Sequence, residues 1–372
     1  MILFTILVFI FILGLLIFVH ELGHFVMAKR AGMKVDEFGF GFPPRMFGIR
    51  RGETIYSINW IPLGGFVKIV GEDDATSLDP RAFANKGFWP RFSVLIAGVA
   101  MNIVLAWFLL FLGLSIIGTP VEVREGQDLG GARIIGSTQL SIIAVQPNSP
   151  AETAGFRPGD VILGIDGNRY ANIDEMIAYT KSRAGQPVVY ELKRGQEILN
   201  RGVIPRENPP PDSGPVGFIP AMVGKVVYPP ISALPLSFVS LWAKVTGILA
   251  AFGLLFKGLF SEGRLIEGLS GPVGIAVLTR DFTRLGLPYL NQFIATLSIN
   301  LAIINAVPFP ALDGGRILFL IIEKIRGLKS IKWERIANAV GFMLLITLMV
   351  AITYRDIGRF SEQFKRLFES IL

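Results

Sequence analysis

The 372-residue chain has no cysteine and only two histidines. Without cysteine there is no disulfide and no thiolate metal or redox centre, so any metal site must be built from histidine and carboxylate. Charge is also scarce. Asp, Glu, Lys and Arg make up 17% of the residues against 51% hydrophobic, and the mean hydropathy is +0.54. Apolar runs of this density read as membrane spans rather than a soluble core. Met1 to Val19 contains no Lys or Arg. That argues against a cleaved signal peptide, which needs positive charge before its apolar core. The net charge of +7 is assigned to cytoplasmic loops and lipid-facing side chains, not to nucleic-acid binding.

Both histidines lie in one stretch, His20-Glu21-Leu22-Gly23-His24. On a helix, positions i and i+4 share a face, so the two imidazoles can converge on one ion. Glu21 stands on a neighbouring face, within reach of a water on that ion. The bland alternative is two surface histidines near a glutamate. The setting disfavours it: the stretch ends an apolar run from Ile2, and ionisable groups at membrane depth are expensive and functional by default. Lys29, Arg30 and Lys34 follow, which puts the N-terminus outside and residue 30 inside.

The first loop, residues 26–91, is basic and reads as cytoplasmic. Within it, Gly39-Phe40-Gly41-Phe42-Pro43 is glycine-rich and apolar, and Glu53 to Val70 alternates around a Pro-Leu-Gly-Gly break. That predicts a hairpin or small sheet, either dipping toward the membrane or lying plainly in the cytoplasm. A second span runs from Phe92 to Ile117, started by Trp89 and Arg91. It carries Asn102, read as a helix–helix hydrogen bond in preference to direct catalysis. Residues 118–222 are far more polar. Ser149-Pro150-Ala151, Pro158-Gly159-Asp160 and the Ile165-Asp166-Gly167 turn make this segment look like a PDZ domain, a class that captures extended peptides along a sheet edge. Prolines from Pro205 to Pro235 suggest a stiff connector. Residues 236–260 have a short apolar core between Lys244 and Lys257, which suits an interfacial or re-entrant helix. Leu290 to Ile322 is apolar but interrupted from Asn305 to Gly315. Ile336 to Ile352 is the last span, and Phe360, Phe364, Leu367, Phe368 and Ile371 predict a tail lying on the membrane surface.

Two histidines leave a catalytic zinc site one ligand short. The candidate third ligand is Asp313, a lone carboxylate in the broken span. Its alternative role is to cap the helix that follows. Membrane topology discriminates between them. If 236–260 does not cross, the span before Asp313 runs outside to inside and Asp313 reaches the level of His20 and His24. If it does cross, Asp313 lies at the opposite face. The expected fold is therefore a polytopic α-helical membrane protein with four transmembrane helices, the third broken, a membrane-associated β-hairpin and an inserted α+β PDZ domain. Its segments are 1–117, 118–222, 223–288 and 289–372.

With these residues in place the chain resembles the site-2 protease family of intramembrane zinc metalloproteases (peptidase family M50), in its bacterial RseP-type branch. The resemblance rests on His20-Glu21-x-x-His24, the Gly39-x-Gly41 loop, the Asn102-bearing span and the PDZ-like segment. It also rests on Ser270-Gly271-Pro272-Val273-Gly274-Ile275 and Asn305-x-x-Pro308-x-Pro310-x-Leu312-Asp313-Gly314. It implies one zinc ion on His20, His24 and Asp313, with Glu21 as the base. It implies substrate-backbone contacts from Asn305 and the 53–70 β-element, with Gly39, Gly41, Gly64, Gly65, Pro308 and Pro310 at the substrate. PDZ domains of the family are often circularly permuted, so the strand near Gly214 to Ile219 is expected to complete the peptide groove. Two departures stand out. Ala97-Gly98-Val99 replaces the usual Ala-Gly-Pro, and there is room for one PDZ domain where the best-known members carry two.

The expected activity is hydrolysis of transmembrane segments of pre-trimmed single-span proteins, such as anti-sigma factors or signal-peptide remnants. The expected location is a bacterial inner membrane, with the PDZ domain and both termini outside and the active site near the cytoplasmic side. The expected partners are those substrates, the lipid bilayer, and peptide C-termini or extended segments at the PDZ domain, with no nucleic acid. A scaffold of another class, binding envelope peptides through its PDZ domain with zinc structural or absent, would need a fourth protein ligand for a closed site. A zinc transporter would need several intramembrane His, Asp or Glu sites, and the sequence offers one.

Overall fold

The computed structural model describes residues 2–359 apart from 73–76, 125, 128, 171, 211–212, 263–269 and 328–330. The expected surface tail from Phe360 onward lies outside the described residues. The chain divides into two compact units: Met1–Leu109, Phe238–Arg280 and Phe293–Leu372 form one, and Leu110–Ser237 with Asp281–Gln292 the other.

The first unit starts with α1 (Ile2–Arg30), an apolar helix without proline. Beside it runs α2 (Phe88–Leu112), unbroken through Val99, so the missing proline leaves that helix regular. A Cβ added at Gly23 would strike the Ala97 backbone, so α1 and α2 approach at a glycine, as small residues allow between membrane helices. Between them lie β1 (Val35–Arg51) and β2 (Thr54–Ile69). Both strands fold back on themselves. Phe38 faces Val67 on one side and Tyr56 on the other, while Arg50 faces Ile55. The result is a small sheet with 35–42 inside and 65–69 and 45–51 at its edges. Of the expected hairpin or small sheet, the small sheet is present: the two arms of 53–70 pair with 35–42 on either side and not with each other.

The broken span appears as α7 (Leu287–Ala306) and α8 (Asp313–Arg326). Pro308 and Pro310 lack the N–H a helix needs, and Ala311 adopts φ 75. Cβ atoms on Gly314 and Gly315 would strike carbonyls of Ala306, Val307 and Phe309, so these glycines let α8 restart against the end of α7. The last helix, α9 (Ile331–Arg359), holds this link: Asn338 Oδ1 accepts the Ala311 N–H at 3.0 Å. At its other end, buried Asp356 accepts the N–H groups of Gly271 and Gly274 at 2.8 Å, fixing the start of α6 (Pro272–Leu285). The Ser270–Ile275 motif is thus a carboxylate clamp in which any side chain on either glycine would crowd Asp356.

Five described helices are long and apolar enough to cross a membrane: Leu3–Arg30, Phe88–Ile117, Pro230–Gly258, Leu287–Ala306 and Trp333–Gly358. The third corrects an expectation. What changes is its extent: in place of proline-stiffened chain as far as Pro235 and a short apolar core, the chain forms one helix, α5 (Pro230–Glu262), of 33 residues. At 1.5 Å per residue it extends about 50 Å. Lys244 and Lys257 do not bound it, because long lysine stems lie along apolar surface. Pro230 sits at the first helical position, where no N–H is required.

The second unit contains a six-stranded sheet, β3 (Thr119–Glu122), β4 (Arg133–Val145), β5 (Val161–Ile165), β6 (Val188–Arg194), β7 (Glu197–Val203) and β8 (Phe218–Val227), in the order β3-β8-β4-β5-β6-β7. β8 comes last in sequence yet lies between β3 and β4. Helices α3 (Pro150–Thr153) and α4 (Ile173–Ser182) are capped by Ser149 and Asn172, each accepting the N–H three residues on. Ile142, Ile165, Met176, Tyr190 and Leu192 fill the core, and burial pushes the Tyr190 phenol up from its usual pKa. Asp160 is fully buried; both its oxygens receive Arg194, at 2.6 and 2.7 Å, and one takes the Arg157 N–H. Removing one partner of a buried pair strands the other's charge. Arg194→Met is expected to destabilise this unit by about 3–5 kcal/mol, read as faster amide hydrogen exchange in β5 and β6 with exchange in α1 and α2 unchanged.

Candidate metal centre and active site

α1 carries His20 and His24 on one face, and α8 brings Asp313 to them. His20 Nε2 lies 3.1 Å and His24 Nε2 3.4 Å from Asp313 Oδ2, and the two Nε2 atoms are 3.2 Å apart. Tetrahedral zinc with N and O ligands at 2.0–2.1 Å sets its donors about 3.3–3.4 Å apart. The three edges match that triangle, and these residues form a group able to hold one metal ion. Leu312, not Asp313, occupies the N-cap position of α8 and caps it with no side chain. The carboxylate therefore faces the imidazoles.

The opposite ring nitrogens decide what the triangle can hold. His24 Nδ1 meets the Val94 carbonyl at 2.8 Å. A carbonyl only accepts, so Nδ1 carries the proton and Nε2 presents a lone pair. His20 Nδ1 lies 3.3 Å from the Asn102 amide, whose Oδ1 is buried with no hydrogen-bond partner. Amide O and N are interchangeable by rotation. With the oxygen toward His20, Oδ1 accepts the Nδ1–H, and His20 also aims a lone pair inward. Asp313 Oδ2 is likewise buried and without a hydrogen-bond donor. Three lone pairs converging in a dry setting repel unless a cation lies among them, so the donor set fits zinc. Asn102 is the helix–helix hydrogen bond expected of it, and its partner is a metal-ligand candidate.

Gly98 supplies the space. A Cβ there would collide with His24 Nε2 and come 2.6 Å from His20 Cε1. Glu21 lies beside the β2 edge: a Cβ at Gly65 would sit 3.2 Å from its Cγ. Gly39 and Gly41 are in the inner segment: at Gly41 (φ 82) a Cβ would strike the Ile61 carbonyl, at Gly39 it would press on the Phe66 ring, and Gly64, at φ 129, turns against Phe42. Asn305 ends α7, and Pro308 and Pro310 lie in the link to Asp313. Sequence reasoning missed the Val94 carbonyl, the contact role of Gly98, Asn338, and an ion pair between Arg316 and Glu72 that ties α8 to the end of β2. Spacing carries no signal for these: each partner is distant in sequence.

The profile of peptidase family M50 matches residues 8–348. The chain belongs to this family, the site-2 proteases, and is a zinc metalloprotease. A candidate zinc metalloprotease of Clostridium perfringens is 37% identical over 345 residues, covering 92% of this chain and 95% of its own. The zinc metalloprotease RasP of Oceanobacillus iheyensis is 31% identical, covering 95% and 99%. The regulator of sigma-W protease RasP of Bacillus subtilis is 29% identical, covering 95% and 98%. Among solved structures, the PDZ domain of an SdrC-like protein from Listeria monocytogenes is 22% identical, covering 23% of this chain and 90% of its own, with a TM-score of 0.21. Asn102 and Gly98 position the two candidate ligands, His20 and His24. Asn102→Ala is expected to weaken zinc binding about 10–100-fold, measured by chelator competition on folded protein. Gly98→Val is expected to abolish stoichiometric zinc, measured by metal analysis.

Proposed function

We propose that this metalloprotease cuts within membranes, hydrolysing transmembrane segments of single-span proteins already shortened by an earlier cut, with one zinc ion at His20, His24 and Asp313. The observation that carries the reading is the ligand triangle's position. It lies within α1, a helix apolar enough to cross a bilayer, beside an open sheet edge.

A zinc ion bound there would act as a Lewis acid, acidifying a water and polarising the scissile carbonyl. Glu21 accepts the water's proton and passes it to the leaving nitrogen. A helical substrate hides its carbonyls in internal bonds and must unwind first. The 65–69 edge pairs with 35–40 on one side, and its open side can take an extended chain by strand addition next to Glu21. Asn305, at the end of α7, is the proposed polar contact to the substrate backbone. In the second unit a groove of about 470 Å³, lined by Met176, Ile177, Tyr190 and Phe218, suits an apolar peptide terminus or extended segment. Anti-sigma factors and signal-peptide remnants are substrates of the proposed type.

The proposed topology has four crossings, by α1, α2, α7 and α9, although α5 is long enough to be a fifth. Contacts within the first unit support this. Val94 faces His24 and Asn102 faces His20, so α2 runs against α1. Ser298 bonds the Asn102 carbonyl, and α7 then descends to the Asp313 link, so α7 runs with α1. α2 leads out to 118–222 and α7 starts on that same side, so α5, between them, makes no net crossing. Lys29, Arg30 and Lys34 put the metal end of α1 at the cytoplasm.

Glu21→Gln is expected to reduce cleavage of a model single-span substrate by about 10²–10⁴-fold with zinc content unchanged; persistent cleavage with zinc bound would remove Glu21 as base. Because the chain has no cysteine, a single cysteine at Arg201 should react with an impermeant maleimide on intact spheroplasts. One at Lys34 should react only after permeabilisation, and the reverse pattern would invert the topology.

A further inference from the structure

The second unit holds another cavity, of about 450 Å³, away from the peptide groove. It lies on the face of the sheet opposite the apolar core. Strand alternation explains this: β4 turns Leu140 and Ile142 into the core and Gln139 and Ser141 to the cavity, and β6 turns Leu192 inward and Lys193 outward. On a free-standing domain this face would meet water. Here the corner between α6 and α7, residues 284–289, forms the other wall.

That corner is fastened. Gly159 (φ 90) and Gly195 (φ 63) both lie in the left-handed region, and a Cβ on them would strike the Leu285 side chain and the Arg284 carbonyl. Arg157 pairs with Asp281 at 3.3 Å alongside. The Pro158-Gly159-Asp160 stretch thus does more than turn the chain.

The wall chemistry is one-sided. Among the described residues, Lys193, Lys225 and Arg284 line the cavity and no Asp or Glu does. Glu197 approaches Arg284 at 3.7 Å and takes up part of its charge. Among the described residues neither lysine has a carboxylate within ion-pair distance, so their charge faces the cavity. Ser141, Gln139 and Tyr289 add hydrogen-bonding groups. α7 begins at this corner, and the first turn of a 20-residue helix presents partial positive charge. α7 is also a helix apolar enough to span a bilayer, so its start belongs at headgroup level.

We infer that this cavity is a phosphate-binding site, filled by the headgroup of an anionic phospholipid or by free phosphate. Two lysines and an arginine around a polar cavity at the start of a span match a phosphate's charge and its acceptor oxygens. A bound headgroup joins β4, β6 and β8 to the first turn of α7, the helix that leads to Asp313.

The test uses the full-length zinc-loaded protein in detergent. Native mass spectrometry titrates phosphatidylglycerol and, as a phosphate-free control, diacylglycerol; calorimetry titrates inorganic phosphate. The double variant Lys193→Ala/Lys225→Ala is expected to weaken phosphatidylglycerol binding about tenfold or more, while Lys193→Arg/Lys225→Arg retains it and Lys181→Ala, at the peptide groove, leaves it unchanged. If inorganic phosphate shows that dependence and the lipid does not, the ligand is soluble phosphate and the site stands. Binding of neither phosphate probe, equal binding of diacylglycerol, or indifference to the double alanine variant would overturn the inference.

Discussion

Three acceptor atoms forced together inside an apolar helix bundle set the terms for the rest of the first unit. Two imidazole nitrogens and one carboxylate oxygen lie 3.1–3.4 Å apart. In a low-dielectric setting such a group is strongly unfavourable unless a cation compensates it and the surroundings hold each donor in place. The surroundings do hold them. Val94 and Asn102 fix the outer ring nitrogens, Gly98 leaves the space, and the α7–α8 break delivers the carboxylate.

The break shows how exposed backbone inside an apolar helix bundle is managed. Unpaired N–H and C=O groups are tolerated there only when buried by protein or facing a cavity. Prolines remove donors at Pro308 and Pro310, Gly314 and Gly315 fold α8 against the preceding carbonyls, and Asn338 satisfies the Ala311 N–H. α9 then acts as a strut. One end supports the metal-ligand link, and Asp356 at the other clamps the start of α6. The link that brings Asp313 to the histidines and the start of α6 are thus held by the same element.

Much of the site was legible in the chain. With two histidines in all, one helical turn apart in an apolar run, few alternatives to a metal site remained. Asp313 is harder, since an aspartate before a helix is usually a cap; in the structure Leu312 holds the cap position and the Asp313 carboxylate lies beside both imidazoles. The extent of α5 is not legible in the chain, because Lys244 and Lys257 bracket only its most apolar stretch. Composition marks where a helix is apolar, but its length depends on backbone hydrogen bonds that lysine does not interrupt. Gly39 and Gly41 carry a further demand that the motif does not reveal: Cβ atoms there would meet the Phe66 ring and the Ile61 carbonyl within the sheet.

By itself the sequence determined the residue types available to a metal site, the glutamate beside them, the apolar segments and the polar insertion, because each follows from residue type and local period. Only the tertiary structure decided which faces meet. The Asn102 contact to His20, the reversal of β1 and β2 that brings Gly65 to Glu21, and the lysine-lined cavity beneath the α6–α7 corner join residues far apart in the chain. Local spacing encodes helix and strand periods; it does not encode which distant backbone will pack within reach.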